Sequence, residues 1–223
     1  MDPTIYKPSI YKGAGIYKTG GTGGGGESTG VFNINYDDNT NNISPVNAAI
    51  EIKGNILKKR TGGNNSGLIY NAFPFYSCNE YKIKFSFKYD VNTSKYSQLL
   101  GGRGYFFRDP TIWRNPLEDN KNFALGLPDG SDSWNNILLL DCDIDSNSIY
   151  ELEYIVNNIT KNAQGKIYKD GELKDEKNKT FNNIDYSRHT PYTTMLTGGF
   201  DHKFIGELYL DKCSIYCDDV RYF

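Results

Sequence analysis

The segment EYKIKFSFKY, residues 80–89, alternates polar and apolar residues over almost its whole length. A period of two suits an extended strand with one face in a core and the other in water. Shorter runs of the same kind recur along the chain. They are VFNINY (31–36), AAIEIKGNILKK (48–59, broken at Gly54-Asn55), LIYNAFPFY (68–76), SQLLGG (97–102), FALGL (123–127) and NILLLDCDI (136–144). Further on come YELEYIVN (150–157), GKIYKDGEL (165–173), TMLTGG (194–199) and FIGELYLDKCSIYCDDVRYF (204–223). Polar clusters such as DDNTNN, RTGGNNSG and PDGSDSWN separate them, and Gly, Asn, Asp and Ser are the residues that turns require. Residues 150–157 and 165–173 are expected to form a hairpin pair, with Asp170-Gly171 as a tight-turn signal. Residues 103–122, RGYFFRDPTIWRNPLEDNKN, read as a long irregular stretch. No window sustains a period of 3.6, and 18 Tyr, 12 Phe and 23 Gly beside 2 Met favour strands and turns over helices. Strands at roughly ten-residue spacing predict an all-β, antiparallel two-sheet sandwich.

Charge narrows the partners. With 25 Lys+Arg against 27 Asp+Glu, the formal net charge of −2 supplies no positive field for phosphate, so nucleic acid is not an expected partner. No run approaches the ~18 apolar residues of a membrane helix, so no membrane partner is expected either. The opening MDPTIYKPSIYKGAGIYKTGG lacks the apolar core of a secretory signal, and none is expected. Cys78, Cys142, Cys213 and Cys217 contain no CxxC pair and stand beside only His189 and His202, which disfavours zinc. Cys213 and Cys217, read as one strand, would be roughly 13 Å apart, beyond the ~7 Å Cα limit for a disulfide. Buried free thiols are expected, with a Cys78–Cys142 bridge left open by spacing.

The N-terminus has a different character. Ile-Tyr-Lys occurs at 5–7, 10–12 and 16–18, interrupted by Pro8, Gly13 and Gly15. A segment this short cannot bury its own isoleucines and tyrosines, so residues 1–18 read as an anchoring arm. Ile5, Tyr6, Lys7, Ile10, Tyr11, Lys12, Ile16, Tyr17 and Lys18 are its candidate docking residues, tyrosine being favoured at interfaces. Residues 19–30, TGGTGGGGESTG, have the composition of a flexible tether. Residues 31–223 form the expected domain.

The order YELEYIVNN, GKIYKDGEL, MLTGG and FIGELYLDKCSIYCDDVRYF resembles the closing strands of concanavalin A-like, laminin G-like jelly-roll domains. FSFKYD and YSQLLGG upstream extend the resemblance over roughly residues 48–223. It implies a jelly-roll sandwich behind an extended N-terminal arm. Tandem Tyr-Lys triplets, a Gly-rich tether and a jelly roll together also resemble structural proteins of tailed bacteriophages, notably crAss-like phages. That resemblance implies a non-enzymatic head fibre or capsid decoration protein in the virion, commonly a homotrimer. Its arm would dock on phage capsid proteins, and its domain would face host-surface or mucus glycans. The alternatives are a cellular surface or secreted carbohydrate-binding module and, more remotely, a glycan hydrolase.

Three constellations bear on that choice. Glu151 and Glu153 share one strand face, the placement of paired glycosidase carboxylates, but the third carboxylate of the related enzymes is missing and Leu152, Tyr154 and Val156 alternate with them. Solvated glutamates are expected. DCDIDSN sets Asp141, Asp143, Asp145 and Asn147 at alternate positions, as in a calcium loop. Ser146 and Leu152 stand where that loop needs Gly and Glu, so no cofactor is expected; the laminin G-like resemblance implies calcium at the rim as the alternative. Tyr105, Arg108, Trp113 and Arg114, with Trp134 on a neighbouring turn, form the candidate ligand-binding set. Aromatic faces stack on sugar rings while guanidinium groups bond hydroxyls or acids. The alternative use of these aromatics is to pin a loop onto the sandwich.

Overall fold

The computed structural model of the chain describes residues 16–17, 32–33, 50–53, 56–59, 68–70, 75–90, 98–102, 109–115, 122–131, 135–188, 194–196 and 206–221. The strands, in chain order, are β1 (Ile16–Tyr17), β2 (Phe32–Asn33), β3 (Ile50–Lys53), β4 (Ile56–Lys59), β5 (Leu68–Tyr70), β6 (Glu80–Tyr89), β7 (Gln98–Gly102), β8 (Thr111–Asn115) and β9 (Asn122–Leu127). They continue with β10 (Asn136–Asp141), β11 (Ile149–Asn157), β12 (Asn162–Lys169), β13 (Glu172–Thr180), β14 (Thr194–Leu196), β15 (Gly206–Tyr209), β16 (Ser214–Cys217) and β17 (Val220–Arg221). One 3-10 turn, Leu210–Lys212, is the sole helical element among the described residues.

Two large antiparallel sheets result, as the alternation required, beside the separate pair β1-β2. A six-stranded sheet runs β10-β9-β8-β7-β14-β5, and a nine-stranded sheet runs β13-β12-β11-β6-β15-β4-β3 with β16 and β17 attached through β6. The chain crosses repeatedly between the sheets, the connectivity of a jelly roll. Strand β6 lies at the centre of the larger sheet and sends Tyr81, Ile83, Phe85 and Phe87 inward, each at most 1% exposed. Phe87 meets Phe123 of the opposite sheet at 5.3 Å between ring centroids and stacks on Tyr150 at 5.7 Å. Burying each such side chain contributes about 1.5–3 kcal/mol, so this aromatic layer is the main adhesive between the sheets.

The two sheets also meet along one side. Lys177 on β13 pairs with Asp141 on β10 at 2.6 Å, and the Asp141 amide donates to Asp175 Oδ2 at 2.8 Å. Lys179 Nζ donates to the Ile137 carbonyl at 2.8 Å. A polar seam therefore closes the side where β13 faces β10.

Three local expectations change. Residues 103–122 are not irregular throughout, because β8 runs through them and pairs with β7 and β9. Residues 150–157 do pair with β12 as a hairpin, through residues 158–161, and Asp170-Gly171, both with positive φ (53° and 81°), is a tight turn as expected; what changes is that it splits the run 165–173 and joins β12 to β13. Cys213 and Cys217 do not share one strand, since the 3-10 turn ends just before Cys213. That turn is an insertion: β15 pairs Leu208 with Phe87, and β16 resumes on the same edge of β6 with Ser214 opposite Lys84.

Of the arm, Ile5, Tyr6, Lys7, Ile10, Tyr11, Lys12 and Lys18 lie outside the described residues. Ile16 and Tyr17 pair with Asn33 and Phe32, so the third triplet returns onto the residues that follow the Gly-rich segment. No described helix is long and apolar enough to cross a membrane.

Candidate functional site

Strand β8 carries two of the five candidate ligand residues and points them in opposite directions. Arg114 is opposite Phe123, a core residue, and its guanidinium lies 5.4 Å from the centroid of the Tyr89 ring. It therefore faces the inner rim of the sandwich, where a cation over an aromatic face is favourable. Trp113, one residue earlier, takes the outer face of the six-stranded sheet by the alternation of a strand. The two do not share a surface. Tyr105, Arg108 and Trp134 lie outside the described residues.

The outer face around Trp113 is built from small and amide side chains. Trp113 is flanked in register by Gln98 of β7 and Ala124 of β9. Gln98 is 1% exposed, and its Nε2 donates to the Leu100 carbonyl at 3.1 Å. Its Oε1 is buried and has no hydrogen-bond partner among the described residues. A Cβ on Gly101 would come within 1.5 Å of Gln98 Nε2, so only glycine leaves room for this amide. Thr111, on the same face, donates its hydroxyl to the Asp109 carbonyl at 3.1 Å. Buried acceptors are ordinarily paired, and this amide oxygen, beside the partly buried Trp113, is an exception to that rule. The sequence did not single out Gln98 or Thr111, because each sits in a short run that reads as core.

The outer face of the nine-stranded sheet is a charge ladder. Lys84 Nζ bridges Glu153 at 2.8 Å and Glu151 at 3.3 Å. The hydrogen bond to Glu153 holds Lys84 above the ordinary lysine range, against the opposing effect of its partial burial. Glu151 and Glu153 share one face, as the alternation predicted. A lysine sits between them where a hydrolase would need room for a glycosidic oxygen. A depression of about 380 Å³ beside them is lined by Lys84, Glu151, Lys212 and Tyr216 among others.

Two aspartates of the DCDIDSN segment, Asp141 and Asp145, are committed to protein partners. Asp145 accepts from the amides of Asn147 and Ser148, both at 2.8 Å, and pairs with Lys169 at 2.6 Å. The hydrogen bond from Lys169, helped by these amides, holds the Asp145 carboxyl well below its ordinary range. Asp141 is paired with Lys177 across the seam. Such a segment is a capped turn, and no group of three or more metal-type ligands occurs among the described residues.

All four cysteines are free and buried. Burial pushes the Cys142 thiol up to about 11 and the Cys213 thiol up to about 12. Cys78 does not stand next to Cys142. Its thiol donates to the Phe75 carbonyl at 3.6 Å, and the cysteine brought toward it is Cys217, opposite Tyr81 of β6. His189 and His202 lie outside the described residues.

No protein-family model matches this chain, and no curated protein does. Among solved structures, a Bacteroides ovatus protein described as carbohydrate-binding aligns at a TM-score of 0.46 and 11% identity. That match spans 66% of this chain but only 40% of the other. The CBM40 of Ruminococcus gnavus IT-sialidase, bound to α2,3-sialyllactose, aligns at a TM-score of 0.46 and 16% identity over 64% of this chain and 83% of that one. Peanut lectin aligns at a TM-score of 0.45 and 11% identity over 76% and 92% of the two chains. At these scores the likenesses carry no inference about function.

Proposed function

We propose that this chain is a non-catalytic glycan-binding sandwich, presented by its N-terminal arm on a larger assembly. The observation that carries the reading is Trp113 on the outer face of the six-stranded sheet, above the buried Gln98 amide with its unpartnered Oε1. A pyranose ring would lay its C–H face on the exposed part of the indole. Tyr105, Arg108 and Trp134 belong to the segments that flank this face in sequence and are the proposed further contributors. The Lys84 bridge between Glu151 and Glu153 favours binding over hydrolysis.

The Ile-Tyr-Lys triplets support docking of the arm, and their resemblance to phage structural proteins makes a virion the proposed location. In that setting the chain is a head fibre or decoration protein, assembling as a trimer, with phage capsid proteins under the arm and host-surface glycans over the sheet. On a cell surface the sandwich would do the same work, and only the arm's partner would differ.

The test is a glycan array followed by calorimetry with wild type and Trp113→Ala. Loss of a central aromatic contact costs about 2 kcal/mol, which is roughly 30-fold in affinity. A glycan bound equally by both proteins would remove Trp113 from the site and sink the reading. Co-sedimentation with phage capsids, before and after deletion of residues 1–18, tests the location.

A further inference from the structure

The structure brings to one end of the core two cysteines that the sequence keeps far apart. Cys217 ends β16, directly opposite Tyr81 of β6. The next residue, Asp218, donates its amide to the Glu80 carbonyl at 2.9 Å, and its Oδ1 accepts from the amides of Asn79 and Glu80 at 2.9 and 3.0 Å. The C-terminal hairpin is thereby held against residues 79–81, with Cys78 immediately before them. Asn158 fixes the chain on the other side, its Nδ2 donating to the carbonyls of Phe75 and Cys78, both at 2.8 Å. Both cysteines belong to one core cluster, 7% and 3% exposed. The strand register and these hydrogen bonds thus set the two cysteines at the same end of the core.

We propose that Cys78 and Cys217 are a disulfide-forming pair, closed by exchange with a low-molecular-weight disulfide such as oxidised glutathione. The geometry separates the two roles. Cys78 lies in a turn beside exposed Tyr76, Ser77 and Asn79, so a small opening of that turn admits the reagent. The hydrogen bond from Cys217 draws the Cys78 thiol below its ordinary value, making it the better thiolate. The same bond and burial push Cys217 up. The Cys78 thiolate attacks one sulfur of the reagent and expels the first glutathione thiolate, leaving a mixed disulfide. Cys217 then gives up its proton and attacks Cys78 Sγ, expelling the second. Two protein thiols are oxidised, one glutathione disulfide is reduced to two thiols, and the protein's two protons leave with them.

The bond would fasten β16 and β17 to the turn that leads into β6. It closes a loop of roughly 140 residues, a length at which a chain-entropy model gives a large stabilisation and a melting rise of the order of 10 °C.

The experiment treats the full chain with oxidised glutathione in native buffer, counts free thiols, and maps peptides without reduction. The expected result is chains not cross-linked to one another, each with two of its four thiols remaining, a single 78–217 cross-link, a mass lower by two hydrogen atoms, and a higher melting temperature. Thiol loss should stop in Cys78→Ser, whereas Cys217→Ser should lose one thiol and keep a glutathione adduct at Cys78, and the wild-type map decides the question even if either variant folds poorly. Four thiols that survive in native buffer yet oxidise in urea would overturn the proposal. So would a cross-link to Cys142 or Cys213, a bond between two chains, or a glutathione adduct that persists at Cys78 of the wild type.

Discussion

Replacing Tyr154 by phenylalanine should make the protein more stable. The side chain is 1% exposed in the middle of β11, and its hydroxyl is buried with no hydrogen-bond partner among the described residues. Burial drives that phenol well above its ordinary range, and the nearby Asp175 carboxylate, which already accepts from Asp141 and Lys177, adds to the shift. A buried hydroxyl without a partner carries a desolvation cost of about 1–3 kcal/mol. Phenylalanine removes that cost and keeps the ring, which is held between Gly165 and the rest of the core. The void left by one oxygen costs only about 0.3 kcal/mol. The net gain is about 1 kcal/mol, or roughly 2–4 °C in Tm for a domain of this size. Urea unfolding followed by tryptophan fluorescence would measure it, with an unchanged m-value as the sign that only stability moved. Tyr81→Phe is the matched control. Its hydroxyl meets that of Tyr186 at 3.1 Å, so the same substitution there should cost about 1 kcal/mol. If Tyr154→Phe loses stability as Tyr81→Phe does, the hydroxyl has a partner and the reasoning fails.

Gly165→Ala should lower stability by about 1–3 kcal/mol, because its Cβ would come within 2.7 Å of the Tyr154 ring and 3.0 Å of Leu138 on the opposite sheet; an unchanged Tm would mean that the sheets are further apart than described. Gly171→Ala has open space around it but a φ of 81°, so it should cost about 1 kcal/mol through backbone strain alone, read by the same urea titration. Asp145 has a depressed folded-state pKa, so its contribution is present above its ordinary value of 3.8 and is lost as pH falls toward the folded value. Wild type should therefore exceed Asp145→Asn by less than about 1 kcal/mol at neutral pH, the pair being half exposed, and the gap should close in strong acid; a gap that widens on acidification would contradict the assignment.

The legible part of the fold was the part whose chemistry alternates. Residues 80–89 became β6 to the residue, and the Gly54-Asn55 break fell between β3 and β4. Strand β8 escaped notice because its inward position 114 is an arginine resting on Tyr89, which spoils the apolar rhythm, and because prolines flank it. Beyond Leu173, β13 escaped for the opposite reason: DEKNKT has no apolar rhythm, and the strand is held by its ladder to β12 and by lysines reaching β10. Of the candidate site, Trp113 was visible as an aromatic in a polar stretch. Gln98 was not, since only the register of β7 against β8 sets it beside Trp113. The nearness of Cys78 and Cys217 likewise depends on which strand β16 pairs with, a fact that no local pattern encodes.

The charge carried by β13 has a consequence for assembly. It is the terminal strand of the larger sheet, long enough to template another chain, and Glu172, Lys174, Glu176 and Lys179 are exposed along it. A strand arriving to extend the sheet there would have to strip water from these groups, and Lys177 and Lys179 are already drawn toward the smaller sheet. Growth of the sheet from that side is therefore discouraged. Copies of this protein that associate must meet through the opposite margin at β3, through a sheet face, or through the tyrosine-bearing arm, and a cross-linking map of any oligomer should be empty along residues 172–180.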